Sequence, residues 1–308
     1  MFFSISIHAH PGEDEAMDWL NQLITGHKIP IGDWARSFVD WLTSHFAWFF
    51  DGLSNGLTTP IDWLVDILEN QVNPLLFCLA AALLAFWIQR SWKVALFILA
   101  GLLLILNLDL WNEMIETLVL VMGASFVSLV IGIPLGILAA RRPWIYSTMA
   151  PILDMMQTIP TFVYLVPTLV LFGLGIVPGL IATVIFAIPA PIRLTYLGIS
   201  QVQKPLIEAG EAFGCTRWQL LMKVKLPAAL PTIMAGVTQC IMLSLSMVVI
   251  AALVGAGGLG TPTVRALAQS NVSLGVEAGI AIVIVAIGLD RVLKQRTRSR
   301  AVAKPAKG

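Results

Sequence analysis

Seven apolar stretches, at roughly 74–89, 93–110, 114–140, 159–174, 176–197, 228–254 and 275–293, constrain this chain more than anything else in it. A helix needs about 20 apolar residues to cross the ~30 Å hydrocarbon core of a bilayer. Most of the stretches approach or exceed that length with little charge inside; the first and fourth are shorter, and their edges are less sharply marked. Backbone N–H and C=O groups find no water in lipid, so a span must satisfy them within its own helix or in a closed barrel. Runs of this length select the helix. Composition agrees: 57% of the residues are hydrophobic and 12% charged, against roughly 25% charged in soluble domains, and the mean hydropathy is +0.85. The expected fold is an all-α polytopic membrane protein with about seven transmembrane helices.

Charge sets the expected orientation, because Lys and Arg accumulate in cytoplasmic loops. Arg90 and Lys93 separate the first two stretches. Alternation then places Arg141 and Arg142, the Lys204-to-Lys225 segment and the Arg291-to-Lys307 tail on the same side. Of 19 Lys and Arg, only Lys28, Arg36 and Arg265 fall on the other. The N-terminus is therefore expected outside and the C-terminus inside. The basic cytoplasmic tail at 294–308 lacks interleaved aromatics, so it reads as an anchor near anionic membrane lipid rather than a nucleic-acid site. Cys78, Cys215 and Cys240 have neither zinc-site spacing nor an obvious pairing, and read as free thiols. Met1 to Glu15 has no basic n-region and turns acidic at Glu13, unlike a signal peptide.

The polar segment before the sixth stretch is punctuated like a folded unit. Pro205 suits the first turn of a helix and Gly214 its end. Thr216, with Gln219 three residues on, reads as a capping box opening a second short helix. Pro227 is expected to stop that helix, because it disfavours helical geometry at Leu226 and has no N–H to donate. Helix, turn, helix and stop make a shape suited to another protein's groove. Glu208, Ala209, Gly214, Val224, Leu226 and Pro227 resemble the EAA signature of permease subunits of ATP-binding-cassette importers. That signature runs Glu-Ala-Ala, three residues, Gly, nine residues, an aliphatic, one residue, Leu-Pro; here Gly210 replaces the second alanine. The resemblance implies that residues 203–227 form the loop contacting a separate ATPase subunit.

The resemblance extends over about 113–293. Gly132-Ile133-Pro134-Leu135-Gly136-Ile137, Gln157-Thr158-Ile159-Pro160 and Gly255-Ala256-Gly257-Gly258-Leu259-Gly260 look like segments of permeases for glycine betaine, choline, proline and related osmoprotectants. It implies a type I ABC importer permease core at 113–293, after two additional transmembrane helices at 73–112. Residues 1–72 stand apart. They carry ten acidic residues, from Glu13 to Glu69, but only Lys28 and Arg36 as cations. Trp34, Phe38, Trp41, Leu42, Phe46 and Phe49 recur near helical spacing, as do Leu57, Ile61, Leu64 and Leu68. Amphipathic helices on the outer leaflet fit this pattern, with Trp19, Trp34, Trp41, Trp48 and Trp63 as interfacial anchors. A hairpin packed on the spans, or an extra span near 38–57, are the alternatives; Asp40, Asp51 and a break at Pro60 count against the span.

Other constellations carry less. Pro134, Pro160, Pro167, Pro178, Pro189 and Pro191 can kink their helices, either as static kinks or as bends in a rocking bundle. Gly132 with Gly136 permits close helix approach, inside the subunit or at a dimer interface. Glu116, Asp154 and Glu277 are candidate charges on a polar pathway, whereas Arg193 is expected to reach toward the cytoplasmic surface. Phe162, Tyr164, Phe172, Phe186 and Tyr196 form a candidate translocation path, since aromatic faces attract quaternary ammonium groups. Enzymatic chemistry is missing. Gly255 to Gly260 is followed by Thr261-Pro262 without a phosphate-binding lysine, and His8 and His10 read as a solvated pair, so no catalytic residue, cofactor or metal is expected.

The resemblance as a whole implies the permease subunit of an ATP-driven importer for glycine betaine or choline. It implies a partner ATPase that hydrolyses ATP, a substrate-binding protein, and a homodimer of the permease in the bacterial inner membrane. Two rival readings remain: the same machine for another solute such as methionine or phosphonate, or a channel or secondary transporter needing no ATPase.

Overall fold

The computed structural model describes residues 30–293. His8, His10, Trp19, Lys28 and the tail beyond Leu293 lie outside the described residues. The chain divides into two compact units, Met1–Ala47 and Trp48–Gly308. Helix α1 (Ile31–Asp66) has one residue with non-helical dihedrals, Phe46, at φ −119° and ψ 18°. In the first unit it exposes Trp34, Phe38 and Trp41, and Arg36 pairs with Asp40 one turn on at 4.0 Å. In the second unit the helical residues from Trp48 run through Pro60, where a break was expected, and pass into a wide turn at Ile67–Gln71. A proline removes one backbone hydrogen bond, and here that does not end the helix.

The second unit is a helical bundle. After α1 come α2 (Pro74–Gln89), α3 (Trp92–Asn107), α4 (Trp111–Arg141), α5 (Pro143–Thr158), α6 (Thr161–Phe172), α7 (Ile176–Ala187) and α8 (Pro189–Ser200). The short α9 (Lys204–Ala212) and α10 (Arg217–Leu220) lead into α11 (Leu226–Ala251), α12 (Gly260–Ala268) and α13 (Val272–Leu293). Every expected apolar stretch falls mostly on helix. Among the described residues, four helices are long and apolar enough to cross a membrane, or up to six if each bent pair counts as one span.

The stretch at 159–174 differs most from expectation. Its helix α6 is only 12 residues long and is bent 96° from α5, a helix the apolar pattern did not mark. Pro160 explains the bend, because it drives the preceding residue out of helical geometry, and Ile159 sits at φ −65°, ψ 131°. Ser147, Thr148, Asp154 and Gln157 dilute the apolar signal of α5.

The main core pools Cys78 of α2, Ile98 and Ile105 of α3, Met114, Ile115 and Val121 of α4, and Val248 of α11. Trp111 packs edge-on against Phe77 at 5.5 Å. A second cluster, Ile199, Leu221, Ala229 and Ile233, fastens the polar loop to the bundle.

Gly132 and Gly136 are where α4 meets α8. A Cβ at Gly132 would lie 2.8 Å from Pro191 Cγ, and one at Gly136 would lie 2.7 Å from the Ile192 carbonyl oxygen. The small-residue pair is therefore spent on packing inside the subunit.

Candidate functional site

The loop from 203 to 227 folds as two short helices set by local chemistry. Pro205 stands in the first turn of α9. At the other end the Cys215 N–H donates to the Gly210 carbonyl at 3.1 Å, and the Gly214 N–H to that of Glu211 at 2.9 Å. These bonds need a left-handed residue, and Gly214 has φ +75°, a conformation that is strained for any side chain. Thr216 Oγ1 accepts from the Gln219 N–H at 3.3 Å, while Gln219 Oε1 accepts from the Thr216 N–H at 2.9 Å. The capping box is complete.

Pro227 does not stop the second helix. The chain passes from α10 through a wide turn at Leu221–Lys225 directly into α11, with Pro227 in its first turn. Leu226 stays helical at φ −65°, ψ −46°, and a first-turn proline withholds only an N–H that needs little from the helix. The loop is thus continuous with a span. Val224 and Leu226 lie half-buried on this connection.

Glu208 and Ala209 face outward on α9, whereas Gly210 is buried. A Cβ on Gly210 would come within 2.7 Å of Leu220 Cδ1 and 3.3 Å of Val224 Cγ2, so the glycine lets α9 lie against the segment after it. The sequence pattern did not single out the apolar residues on this surface. Leu206 is 47% exposed, Phe213 89%, Trp218 54% and Met222 40%. Their signal was present, as large apolar residues inside a polar, charged loop.

The loop is also tied to the end of α4. The Arg141 guanidinium lies 5.6 Å from the centre of the Trp218 ring. A cleft of about 500 Å³ opens here, lined by Arg141, Arg142, Arg217, Lys225 and Glu211 among others.

The candidate pathway aromatics do not form one group. Tyr164 and Phe186 lie together, ring centres 6.5 Å apart, and the Tyr164 hydroxyl donates to the Met156 carbonyl at 2.6 Å. Phe172 instead meets Phe50 edge-on at 5.3 Å. Tyr196 stacks on Tyr146, and Phe162 is exposed. Among the candidate charges, Glu116 accepts from the Gly258 N–H and Glu277 from the Ser273 hydroxyl at 3.3 Å. The Arg193 guanidinium pairs with Asp154. In the turn before the first expected span, burial pushes the Glu69 carboxyl above the usual range, with Glu116, Glu113 and Asp66 adding to the shift.

Comparison with known proteins places this architecture. The chain is 50% identical over 276 residues to the glycine betaine transport system permease protein OpuAB of Bacillus subtilis, covering 89% of this chain and 97% of that one. It is 40% identical over 296 residues to the glycine betaine/proline betaine transport system permease protein ProW of Escherichia coli, covering 91% and 82% respectively. A solved structure of the MetNI methionine ABC transporter, in an inward-facing conformation, superposes with a TM-score of 0.52 at 27% identity, over 60% of this chain and 94% of that one. Residues 132–295 match the family described as binding-protein-dependent transport system inner membrane component, and the chain belongs to that family.

Proposed function

We propose that this chain is the permease of an ATP-driven importer that carries glycine betaine or choline by alternating access, coupled to its ATPase through residues 203–227. Membership of the family makes it a multi-pass component of the bacterial inner membrane, non-enzymatic itself, that works with an ATPase and a substrate-binding protein. ATP hydrolysis belongs to the partner ATPase in this reading. The substrate follows from the relatives, whose names specify glycine betaine.

The observation that carries the coupling role is the exposed face of the loop. Phe213, Trp218, Met222 and Leu206 are apolar yet exposed, as are Glu208 and Ala209 in the same loop. Exposed apolar patches of this kind mark interaction sites, and the continuous junction of α10 with α11 transmits a push on the loop into a span. Gly214, Val224, Leu226 and Pro227 hold the shape, while Gly210 seats α9. Phe162, Tyr164, Phe172, Phe186 and Tyr196 contribute to the translocation path.

The permease works as a homodimer in this reading, with its N-terminus outside and its C-terminus inside, the basic tail against anionic lipid. Residues 1–72 form the outer-face region, followed by two additional helices at 73–112. Likeness to a methionine transporter keeps a second solute in view. Reconstituting permease, ATPase and binding protein in vesicles and measuring ATP-dependent uptake of labelled glycine betaine, choline and methionine tests the assignment. Uptake of methionine alone would replace the substrate, and uptake without ATP would replace the mechanism.

A further inference from the structure

The Asp154–Arg193 pair sits on a face of the subunit that this chain leaves uncovered. The Arg193 side chain is 30% exposed and that of Asp154 64%. Arg193 lies in the apolar span Ile176–Ser200, about 10 Å from the Ser200 end and about 25 Å from the other at 1.5 Å per residue. A carboxylate exposed against lipid is costly, so Asp154 belongs to a water-filled cavity, a protein surface or the membrane–water boundary. Exposed Ile152 and Met155 flank Asp154, and a pair of tyrosines lies further along the two helices. Tyr146 and Tyr196 stack with their planes 6° apart, Tyr196 one helical turn from Arg193 on α8, and Tyr146 two turns from Asp154 on α5. The strip therefore presents an anion and a cation in contact, with a stacked tyrosine pair one turn from Arg193.

The pairing is also incomplete. One terminal nitrogen of Arg193 donates to one Asp154 oxygen, and Arg193 Nε is buried without a hydrogen-bond partner. A guanidinium binds a carboxylate best through two parallel N–H donors, so this one has capacity that Asp154 does not fill.

We infer that Arg193 and Asp154 form a transit site for zwitterionic solutes, at which the ion pair opens and exchanges partners with the solute. Arg193 takes the solute carboxylate, while Asp154 takes the quaternary ammonium. Both charges stay neutralised throughout, and no covalent bond is made or broken. When the solute leaves, the pair closes behind it. This inference rests on the importer reading above.

The test uses the complete complex of permease, ATPase and binding protein in vesicles, with labelled glycine betaine as the zwitterion. Arg193→Gln and Asp154→Asn are each expected to lower uptake at least about tenfold, with the ATPase still co-purifying. In a background lacking Cys78, Cys215 and Cys240, Gln157→Cys, one turn from Asp154, is expected to react with a charged, water-soluble thiol reagent at a rate that changes between ATP-free and ATP-trapped complexes. Uptake within twofold of wild type in both variants, or a cysteine unreactive in both states, overturns the transit site. Failure of the wild-type complex to accumulate betaine overturns the importer reading instead, so the two failures are told apart.

Discussion

The Glu116 carboxylate on α4 accepts a hydrogen bond from the backbone N–H of Gly258, 142 residues further along the chain. Beside it, Thr117 Oγ1 accepts from the Leu259 N–H at 2.8 Å. Two consecutive side chains thus hold the turn between α11 and α12, where Gly257 and Gly258 have φ +78° and +72°. A Cβ at Gly258 would lie 2.5 Å from Thr117 Oγ1. The glycine-rich segment serves close approach of backbone to α4.

Gly258→Ala is expected to destabilise the purified permease by about 1–3 kcal/mol, the cost of a non-glycine residue in left-handed geometry. Glu116→Ala leaves the Gly258 N–H without its acceptor and costs about 1–3 kcal/mol, whereas Glu116→Gln keeps an acceptor and costs less. Thermal unfolding in detergent reads all three, and equal melting of Glu116→Ala and wild type would refute the anchor.

Gly136→Leu is expected to break the seam of α4 with α8. The Ile192 carbonyl and Thr195 Cβ occupy the space a side chain would need, and overpacking of this kind typically costs about 1–3 kcal/mol. The loss appears as reduced thermal stability of the subunit. Unchanged stability with loss of cross-linked dimer would reassign the glycine pair to a subunit interface.

Gly214→Val and Glu208→Ala are expected to insert normally yet lose ATPase association and uptake. Open space surrounds Gly214, so the valine fails through backbone strain and not through a clash. Truncating a charge pair desolvated at an interface costs about 2–5 kcal/mol. Co-purification of the ATPase checks both, and wild-type uptake in both variants would remove the coupling role from this loop.

Gly210→Ala is expected to be tolerated and Gly210→Trp not. The alanine meets mainly the mobile end of Leu220, which can turn aside, whereas an indole would separate α9 from the segment after it. Uptake assays on the two variants give the comparison; equal activity would show that α9 need not seat against Leu220.

Single cysteines at Asp18 and Lys304, in a background free of the native three, are expected to label from opposite sides of the membrane. Labelling of both from outside would invert the C-terminal half of the topology.

The sequence by itself determined what is local. Apolar runs marked where the apolar helices lie, because every backbone group in lipid must be satisfied within its own helix, but not which of them are long enough to cross a membrane. Gly214 and the Thr216–Gln219 box were legible because their bonds close within five residues. Pro227 was misread because a proline that ends one helix is equally suited to the first turn of the next, and α5 because its polar residues hid its period. Only the tertiary structure decided which distant groups meet. It turned Gly132 and Gly136 toward α8, gave Glu116 to Gly258 and Arg193 to Asp154, and uncovered Phe213 and Trp218. No local pattern encodes these pairings, because a side chain's partner is fixed by the packing of whole helices against one another.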